Sequence, residues 1–361
     1  MTSLRTSGTC RIVGAGLLGT SIGLALTKAG LDVVIEDATP TNARLAIDYG
    51  AGRKASESDA PSIIVVCVPP DVTASVVAAE LERFPNAVVT DVASVKSSIL
   101  HDLTTRGADL SRYLGSHPMA GRERGGALSG RADLFIARPW VLAVHESASA
   151  RAIAAVEDLA LDLGAIPSRM SPEAHDRAVA LVSHAPQVVS SLLAARLANA
   201  DASDVALAGQ GLRDTTRIAA SDPKLWLQIL GANADSVRTV LTGFQDDLSS
   251  VISALEDTDA SGALAVIGDA LSAGNRGVEK IPGKHGSNAT AYSFVVVLID
   301  DKPGQLAKLL TEVGEAGINL EDLKLEHSPG AAVGLVELAV LPAVEQKLVA
   351  ELTSRGWRLA G

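Results

Sequence analysis

The sequence predicts an α/β protein with a doubly wound parallel sheet, an all-helical domain and a small α+β module. Strand-like and helix-like segments alternate through residues 1–170. Strand-like runs are then almost absent from residues 171–275 and return after a polar linker at 276–290. The 361 residues suffice for two or three domains. Because the strand-like runs return after the linker, we assign the last domain to residues 291–361.

Composition limits the classes of partner. Hydrophobic residues make up 47% of the chain and aromatic residues 3%, so the core is expected to be built from Ala, Val, Leu and Ile. The net charge of −11 argues against a nucleic-acid or anionic membrane surface. The sequence shows no signal peptide and no apolar run that we expect to span a bilayer. Cys10 and Cys67 lie in apolar runs, as buried thiols of a reducing compartment do, which predicts a cytoplasmic protein.

A glycine motif near the N-terminus predicts a nucleotide site. Residues 11–20 read Arg-Ile-Val-Gly-Ala-Gly-Leu-Leu-Gly-Thr, a short strand that leads into Gly-x-Gly-x-x-Gly and then a helix. In such a turn, Gly14 allows the chain to reverse, Gly16 lets a pyrophosphate approach the backbone, and Gly19 lets the helix pack closely. The helix start at Leu17 and Leu18 presents N–H groups and a positive dipole end to the phosphates. We therefore predict a Rossmann-type dinucleotide-binding domain.

An acidic residue then indicates which dinucleotide binds. A second apolar strand ends in Glu36 and Asp37, roughly 20 residues past the glycines. An acid at this position accepts the ribose hydroxyls and repels a 2′-phosphate, which favours NAD over NADP. Asp37 is our first choice for this role and Glu36 the alternative.

The remaining segments of this domain follow the same alternation. Loops at the carboxyl ends of its strands should line the cofactor crevice, among them Val68 and Pro69, residues 91–96 and residues 116–123. We predict helices at 40–49, 72–81, 95–106 and 150–163, and strands at 62–68, 87–91, 114–116, 139–144 and 165–170.

Two residues in these loops are suited to alcohol oxidation. His117 follows a predicted strand, where a neutral imidazole can take a hydroxyl proton while a hydride leaves. A structural histidine bonded to backbone is the alternative. Ser94 can hydrogen-bond both the alcohol and His117, or it can cap the helix predicted to begin at Val95, and the two roles are compatible.

The helical domain carries a candidate anion site. Arg213 and Arg217 are four apart, so on one helix they share a face and repel each other unless an anion lies near. That arrangement favours a carboxylate site, with pairing to Asp214 or a solvated helix face as alternatives. His184 is the other polar residue of interest here. A helical block this apolar often buries its surface in a homodimer. The seven histidines show no metal-ligand spacing, so we predict no metal.

The last domain has the order β-α-β-β-α with a short terminal strand. Its predicted segments are strands at 292–299, 317–325, 332–340 and 357–359, and helices at 306–316 and 342–355. This order is typical of a small ferredoxin-like module.

Taken together, these blocks resemble the prephenate/arogenate dehydrogenases of tyrosine biosynthesis that carry a C-terminal ACT domain. The Ser-His-Pro-Met-Ala-Gly block and the Arg-Ile-Ala-x-Ser-Asp-Pro block are far more specific than the glycine motif, and the agreement spans nearly the whole chain. The matching blocks are Gly14–Gly19, Asp91–Lys96, Ser116–Glu123, Val182–His184, Arg213–Ile218, Ser221–Pro223 with Trp226, and Ile281–Gly286.

The resemblance implies an oxidative decarboxylation. Hydride would pass from the carbinol carbon of prephenate to NAD while His117 takes the proton and Ser94 orients the hydroxyl. Loss of carbon dioxide would then give the aromatic product 4-hydroxyphenylpyruvate, with no metal. By the same resemblance, Arg217 would bind a substrate carboxylate, Arg213 and His184 would lie nearby, and Glu123 would lie at the mouth of the pocket.

One departure from the family pattern concerns substrate choice. Some relatives carry a second histidine three residues after the one that matches His184, where this chain has Gln187. A neutral amide tolerates both the keto group of prephenate and the ammonium of arogenate. Glu123 could attract that ammonium, or be screened by Arg122 and Arg124. We favour prephenate, with arogenate as the alternative.

The last domain suggests regulation. Asp301, Gly304 and Asn319 match the ACT pattern, in which a free amino acid can be held at a domain–domain interface. Tyrosine, the end product of the pathway, is the expected inhibitor, and a purely structural module that aids dimerisation is the alternative.

Two other functional classes are considered. A β-hydroxyacid dehydrogenase tends to use a catalytic lysine on its second domain, and no lysine lies between Met170 and Pro223. A non-catalytic NAD and amino-acid sensor would not need His117 as a base.

Overall fold

A computed structural model describes residues 4–121, 125–282, 292–327 and 333–360. The chain forms two units that interleave along the sequence. One comprises Met1–Asn199 and Thr216–Gly243, and the other comprises Ala200–Thr215 and Phe244–Gly361. The domain boundaries given above stay a prediction.

The N-terminal part contains a five-stranded parallel sheet in the order β3-β2-β1-β4-β5. Apolar β-branched runs form its central strands because both faces are covered. Ile63 and Val65 of β4 join one core, whereas Ile64 and Val66 join the other. The Rossmann-type α/β prediction is thereby confirmed. The strands are β1 (Thr9–Val13), β2 (Asp32–Glu36), β3 (Arg53–Lys54), β4 (Pro61–Val66) and β5 (Val88–Asp91), and the helices are α1 (Leu17–Lys28), α2 (Pro40–Asp48), α3 (Pro70–Arg83) and α4 (Ser97–Thr105).

The next three strands form a sheet of their own, in the order β6-β7-β8. They are β6 (Gly115–Pro118), β7 (Pro139–Ala143) and β8 (Ile166–Met170), with α5 (Ala150–Asp162) between the last two. β7 and β8 are parallel, as their helical crossover requires, but β6 and β7 are antiparallel. In the described part of the β6–β7 connection the only helix is a 3₁₀ turn at Ala127–Ser129, too short for a parallel crossover.

Residues 171–282, all of which the structure describes, are helical and contain no strand, as predicted. By length and composition alone, the continuous helical run Pro172–Asn199 could span a membrane, which corrects our expectation that no run could. Its buried face carries polar side chains of the site described below, so we assign it to the helical domain. The helices are α6 (Pro172–Val179), α7 (Ala185–Arg196), α8 (Ala202–Val205), α9 (Gln210–Thr216), α10 (Pro223–Ala232), α11 (Ala234–Glu256) and α12 (Ala263–Val278), with a π-helical turn at Ala180–His184 between α6 and α7 and a 3₁₀ turn at Arg217–Ala220.

The C-terminal module is an antiparallel sheet in the order β10-β11-β9-β12. One face of the sheet packs on two helices around Val297, Leu309, Val336 and Leu348. The βαββαβ order of a ferredoxin-like fold is confirmed. Its elements are β9 (Ser293–Asp300), α13 (Gln305–Glu315), β10 (Asp322–His327), β11 (Val333–Val340), α14 (Pro342–Ser354) and β12 (Arg358–Ala360).

Candidate active site

The glycine turn between β1 and α1 leaves space where a phosphate would approach. Gly14 has φ +105°, and a Cβ added there would lie 2.3 Å from the Cys67 carbonyl oxygen. A Cβ on Gly19 would lie 1.9 Å from the Gly14 carbonyl oxygen, so the close strand–helix approach requires glycine. Gly16 has nothing within 4 Å of the equivalent position. Its open backbone lies directly before Leu17 and Leu18, where α1 begins, and this arrangement fits a pyrophosphate.

The two acids after β2 have different surroundings. The Asp37 carboxylate accepts hydrogen bonds from the Ala15 N–H in the glycine turn and from the Thr39 N–H, each at 2.7 Å. Glu36 instead accepts from the guanidinium of Arg11 at 2.5 Å. The carboxylate of Asp37 therefore lies against the glycine turn, whereas that of Glu36 is held by Arg11.

The loop after β4 lies beside this turn. The Cys67 N–H donates to the Val13 carbonyl at 2.6 Å, and a Cβ on Gly14 would lie 3.2 Å from the Val68 side chain. Pro69 is exposed and precedes the first residue of α3.

A buried ion pair anchors the loop that carries Ser94. The Lys96 ammonium donates to the Asp91 carboxylate and, at 2.9 Å, to the Ser116 carbonyl. The Tyr113 hydroxyl donates to the other Asp91 oxygen at 2.7 Å. Burial lowers the pKa of Lys96 although the Asp91 carboxylate opposes this effect. The two ends of the Asp91–Lys96 loop are thereby fixed to each other.

Ser94 itself is half-buried in this loop, and its predicted role as a helix cap is wrong. α4 begins at Ser97 rather than Val95, and no side chain from its own N-terminus caps it. The Asp176 carboxylate accepts from the N–H groups of Lys96 at 2.9 Å and Ser97 at 2.8 Å. A residue 80 positions away in the chain supplies the cap, which local sequence could not indicate.

His117 lies buried in β6, and its ring contacts a second histidine that the sequence analysis missed. His117 Nδ1 lies 2.9 Å from His175 Nε2, and His175 Nδ1 lies 2.8 Å from Asp176 Oδ1. Burial lowers the pKa of His117 well below its ordinary value, and the neighbouring His175, Lys96 and His184 lower it further. The imidazole is therefore neutral at pH 7, as a general base must be.

His184 and Gln187 are buried on the helical run Pro172–Asn199. His184 Nδ1 lies 3.2 Å from the Asn233 amide nitrogen, and burial lowers the pKa of His184 to about 4. The Gln187 amide donates to Ser191 Oγ at 3.3 Å and accepts from Ser221 Oγ at 3.4 Å. The side chain of Gln187 is thus held in place by two hydroxyls.

The two arginines do not share one α-helix. Arg213 is exposed on α9, whereas Arg217 is exposed at the start of the 3₁₀ turn that follows. The common helical face predicted for them is therefore wrong. Asp214 Oδ1 accepts from Gln210 at 2.8 Å. Glu123, with Arg122 and Arg124, lies outside the described residues.

Comparison with known proteins identifies the family. The family model for the nucleotide-binding domain of prephenate dehydrogenase matches residues 22–167, and the model for its dimerization domain matches residues 171–267. The chain belongs to the prephenate dehydrogenase family. It is 35% identical to the probable prephenate dehydrogenase NovF of Streptomyces niveus, over 97% of this chain and 98% of that protein.

Two solved structures share the fold. Prephenate dehydrogenase from Aquifex aeolicus, solved with hydroxyphenyl propionate and NAD⁺, is 25% identical to this chain with a TM-score of 0.66. It aligns with 76% of this chain and 99% of its own. Arogenate dehydrogenase from Synechocystis is 24% identical with a TM-score of 0.62, over 74% of this chain and 99% of its own, which shows a common fold.

Within the part of the chain that the structure describes, no cluster of three or more His, Cys, Asp or Glu is suited to a metal ion.

In the C-terminal module, Gly304 has φ +88° and precedes α13, which fits the predicted turn. Asn319 is exposed, and its amide donates to Glu321 at 3.1 Å. Asp301 is exposed between β9 and α13.

Proposed function

We propose that the buried imidazole of His117 is the base for NAD-dependent oxidative decarboxylation of prephenate. The chain is a member of an NAD-dependent oxidoreductase family. The observation that supports His117 is its position in β6: it is buried, neutral at pH 7, and bonded through Nδ1 to a second side chain. Nε2 is the ring nitrogen that we assign to proton transfer.

The reaction divides between cofactor and protein. When bound, NAD accepts the hydride from the carbinol carbon of prephenate. His117 Nε2 takes the hydroxyl proton, and Ser94 orients that hydroxyl. The ring C–CO₂⁻ bond then breaks, and its electron pair completes the aromatic ring, releasing carbon dioxide. His117 can return its proton to the phenolate oxygen. The products are 4-hydroxyphenylpyruvate, carbon dioxide and NADH.

The residues around the glycine turn fit NAD. The open backbone at Gly16 accommodates a pyrophosphate, and the N-terminus of α1 favours its charge. We assign the ribose hydroxyls to Asp37, because its carboxylate already lies against this turn while Glu36 is held by Arg11. Val68 borders the same turn, and Pro69 follows Val68 in the chain.

For the substrate, we assign a carboxylate to Arg217, with His184 and Gln187 as further contacts. The neutral amide of Gln187 suits a keto group and does not require the ammonium of arogenate. Arg213 and Glu123 stay predicted substrate residues.

The deciding experiment measures NADH or NADPH formation with prephenate and with arogenate, each with NAD and with NADP. We expect turnover with prephenate and NAD. Turnover with arogenate alone would replace the substrate assignment and keep the chemistry. No NADH or NADPH formation in any of the four assays, with NAD still bound, would refute the proposal and favour a β-hydroxyacid dehydrogenase or a sensor.

We further propose that the protein is a homodimer. The helical domain matches a dimerization domain, and α11 presents Phe244, Leu248, Ile252 and Leu255 as a stripe of exposed apolar side chains at helical spacing. Leu248→Asp should shift the mass measured by analytical ultracentrifugation from dimer to monomer, and Asp247→Asn, which removes a neighbouring charge, should not. A wild-type monomer would contradict the proposal.

The C-terminal module is proposed to act as an ACT domain that binds tyrosine. Its ferredoxin-like order and the turn at Gly304 support this assignment, with Asp301 and Asn319 as the other candidate contacts. Tyrosine added to the activity assay should inhibit wild type and should inhibit Gly304→Ala less. No inhibition at saturating tyrosine would leave a structural role for the module.

A cytoplasmic location stays a prediction.

A further inference from the structure

A chain of hydrogen bonds extends from the proposed base into the protein interior. His117 Nδ1 contacts His175 Nε2 at 2.9 Å, and His175 Nδ1 contacts Asp176 Oδ1 at 2.8 Å. His175 is fully buried, Asp176 is 4% exposed and His117 9%. Both ring nitrogens of His175 are hydrogen-bonded to side chains, so the His175 ring connects His117 with Asp176.

The carboxylate at the end of this chain also holds the neighbouring loop. Asp176 Oδ1 accepts from the Lys96 N–H at 2.9 Å, and Oδ2 accepts from the Ser97 N–H at 2.8 Å. Ser94 lies two residues before Lys96 in the same loop. The Asp176 backbone carbonyl is fixed in turn by the Asn233 amide at 2.8 Å. One carboxylate therefore connects the ring of His117 with the loop that carries its proposed hydroxyl partner.

The protonation pattern follows from the donors and acceptors. Burial would raise the pKa of Asp176, but hydrogen bonds from His175, Ser97 and Lys96 lower it, so the carboxylate is ionised and can only accept. His175 Nδ1 must then carry a hydrogen, and in the tautomer with that one ring hydrogen Nε2 is an acceptor. His117 Nδ1 must in turn donate, and the lone pair of His117 lies on Nε2.

We infer that His175 and Asp176 are positioning residues that fix His117 in the tautomer with its basic lone pair on Nε2. This nitrogen lies on the side of the ring away from His175. The inference rests on the proposed function, because it assigns His117 as the base. The charged and titratable groups around His117 are His175 and Asp176 on α6, Lys96 before α4, and His184 in the π-helical turn. Among the residues that the structure describes, His175 is the side chain that hydrogen-bonds the ring of His117.

The tautomer can be measured without substrate. Long-range ¹H–¹⁵N spectra of the full-length protein, labelled with ¹⁵N-histidine, distinguish a protonated Nδ1 from a protonated Nε2, and loss of one signal in His117→Gln assigns the residue. We expect His117 to be neutral at pH 7.5 with hydrogen on Nδ1. Hydrogen on Nε2 would overturn the inference, whether or not the protein turns over prephenate.

Kinetics of matched variants test the consequence. His175→Gln places an amide oxygen where Nε2 lies and can still accept from His117, whereas His175→Asn reaches only the Nδ1 position. We expect His175→Asn to lower kcat about 10²-fold or more with unchanged affinity for NAD, and His175→Gln to stay within about tenfold of wild type.

Asp176→Asn gives an independent readout. The amide keeps one acceptor oxygen where the carboxylate has two, so at least one of the three N–H donors loses its partner and His175 is held less firmly. We expect the Nδ1–H population of His117 and kcat both to fall below their wild-type values. Glu173→Gln, on the exposed side of the same helix, is the control and should leave both measurements unchanged. Equal kcat for His175→Asn and His175→Gln would overturn the inference. Failure of wild type to oxidise prephenate would refute the proposed function alone, since the tautomer is measured separately.

Discussion

Replacing Arg11 by Met should destabilise the nucleotide-binding sheet. The Arg11 side chain in β1 is 1% exposed, and it donates to Glu80 of α3 through Nε at 2.8 Å and Nη2 at 3.1 Å. Glu80 has a side chain 9% exposed, so this is a buried two-point ion pair. The second partner of Arg11, Glu36, has a side chain 47% exposed and can be solvated by water.

The magnitude follows from which charge is left alone. In Arg11→Met the Glu80 carboxylate stays buried without its cation, which costs about 3–5 kcal/mol. In Glu80→Leu, Arg11 keeps Glu36, so the loss is about 1.5–3 kcal/mol, the worth of hydrogen bonds to a charged group. Replacing both partners removes both charges, and the double variant should lie within about 1 kcal/mol of wild type. Glu36→Gln should cost less than about 1 kcal/mol, since that pair is exposed.

Urea unfolding at fixed protein concentration measures these free energies. The fluorescence of Trp140, fully buried in the core beside this sheet, reports the transition in a background with Phe at positions 226 and 357. A double-mutant cycle should give a coupling above about 2 kcal/mol. The reasoning would be refuted by an Arg11→Met variant that loses less than 1 kcal/mol, or by single losses that simply add in the double variant.

Further predictions concern the site. His117→Asn should lower turnover by about 10²–10⁴-fold with an unchanged NAD dissociation constant, measured by fluorescence titration; normal turnover would remove His117 as the base. Arg217→Ala should raise the KM for prephenate roughly 10–100-fold with little change in kcat, and an effect confined to NAD affinity would contradict its role. Asp37→Ser should reduce the preference for NAD over NADP at least about tenfold, whereas Glu36→Gln should not. Burial holds the pKa of His184 at about 4, below its ordinary 6.5, so the folded state binds fewer protons between these values. The contribution of His184 to the free energy of unfolding should therefore be constant above about pH 6.5 and fall as pH drops towards 4, so that the free energy falls less steeply over this range in His184→Gln.

The sequence was sufficient for features that depend on local pattern. The strands and helices of the first sheet follow from buried β-branched runs separated by amphipathic segments, and most of their ends agree within about three residues. The steric reason for Gly19 is also local, because its Cβ would meet the Gly14 carbonyl of the same turn, whereas the Cys67 carbonyl that requires glycine at position 14 belongs to a distant loop. The βαββαβ module was equally readable from its order of segments.

Features set by distant contacts were not readable. The start of α4 depends on a carboxylate from α6, and no residue near position 97 signals it. His175 lies at the beginning of the predicted helical domain, in the segment Ser171-Pro172-Glu173-Ala174-His175-Asp176. A histidine next to an aspartate is a signal for a candidate catalytic pair, but His117, the residue that His175 contacts, lies 58 residues away in the chain. The antiparallel pairing of β6 with β7 was not predicted, because the pattern of a strand does not show whether it runs parallel or antiparallel to its neighbour.

The buried charges of this site are better explained by chemistry than by stability. Lys96, Asp91 and Asp176 are each almost fully buried, and replacing such groups by apolar residues is often neutral or stabilising. Their hydrogen bonds instead converge on two loops, since Lys96 joins Asp91 to the Ser116 carbonyl and Asp176 joins α6 to the start of α4. His117 follows Ser116 directly, and Ser94 lies between Asp91 and Lys96. A lowered pKa makes His117 available as a base but a weak one, so its position and tautomer must be well defined when the hydroxyl proton is transferred. The charged network supplies that definition, and this is why we expect its loss to reduce kcat more than it reduces the binding of NAD.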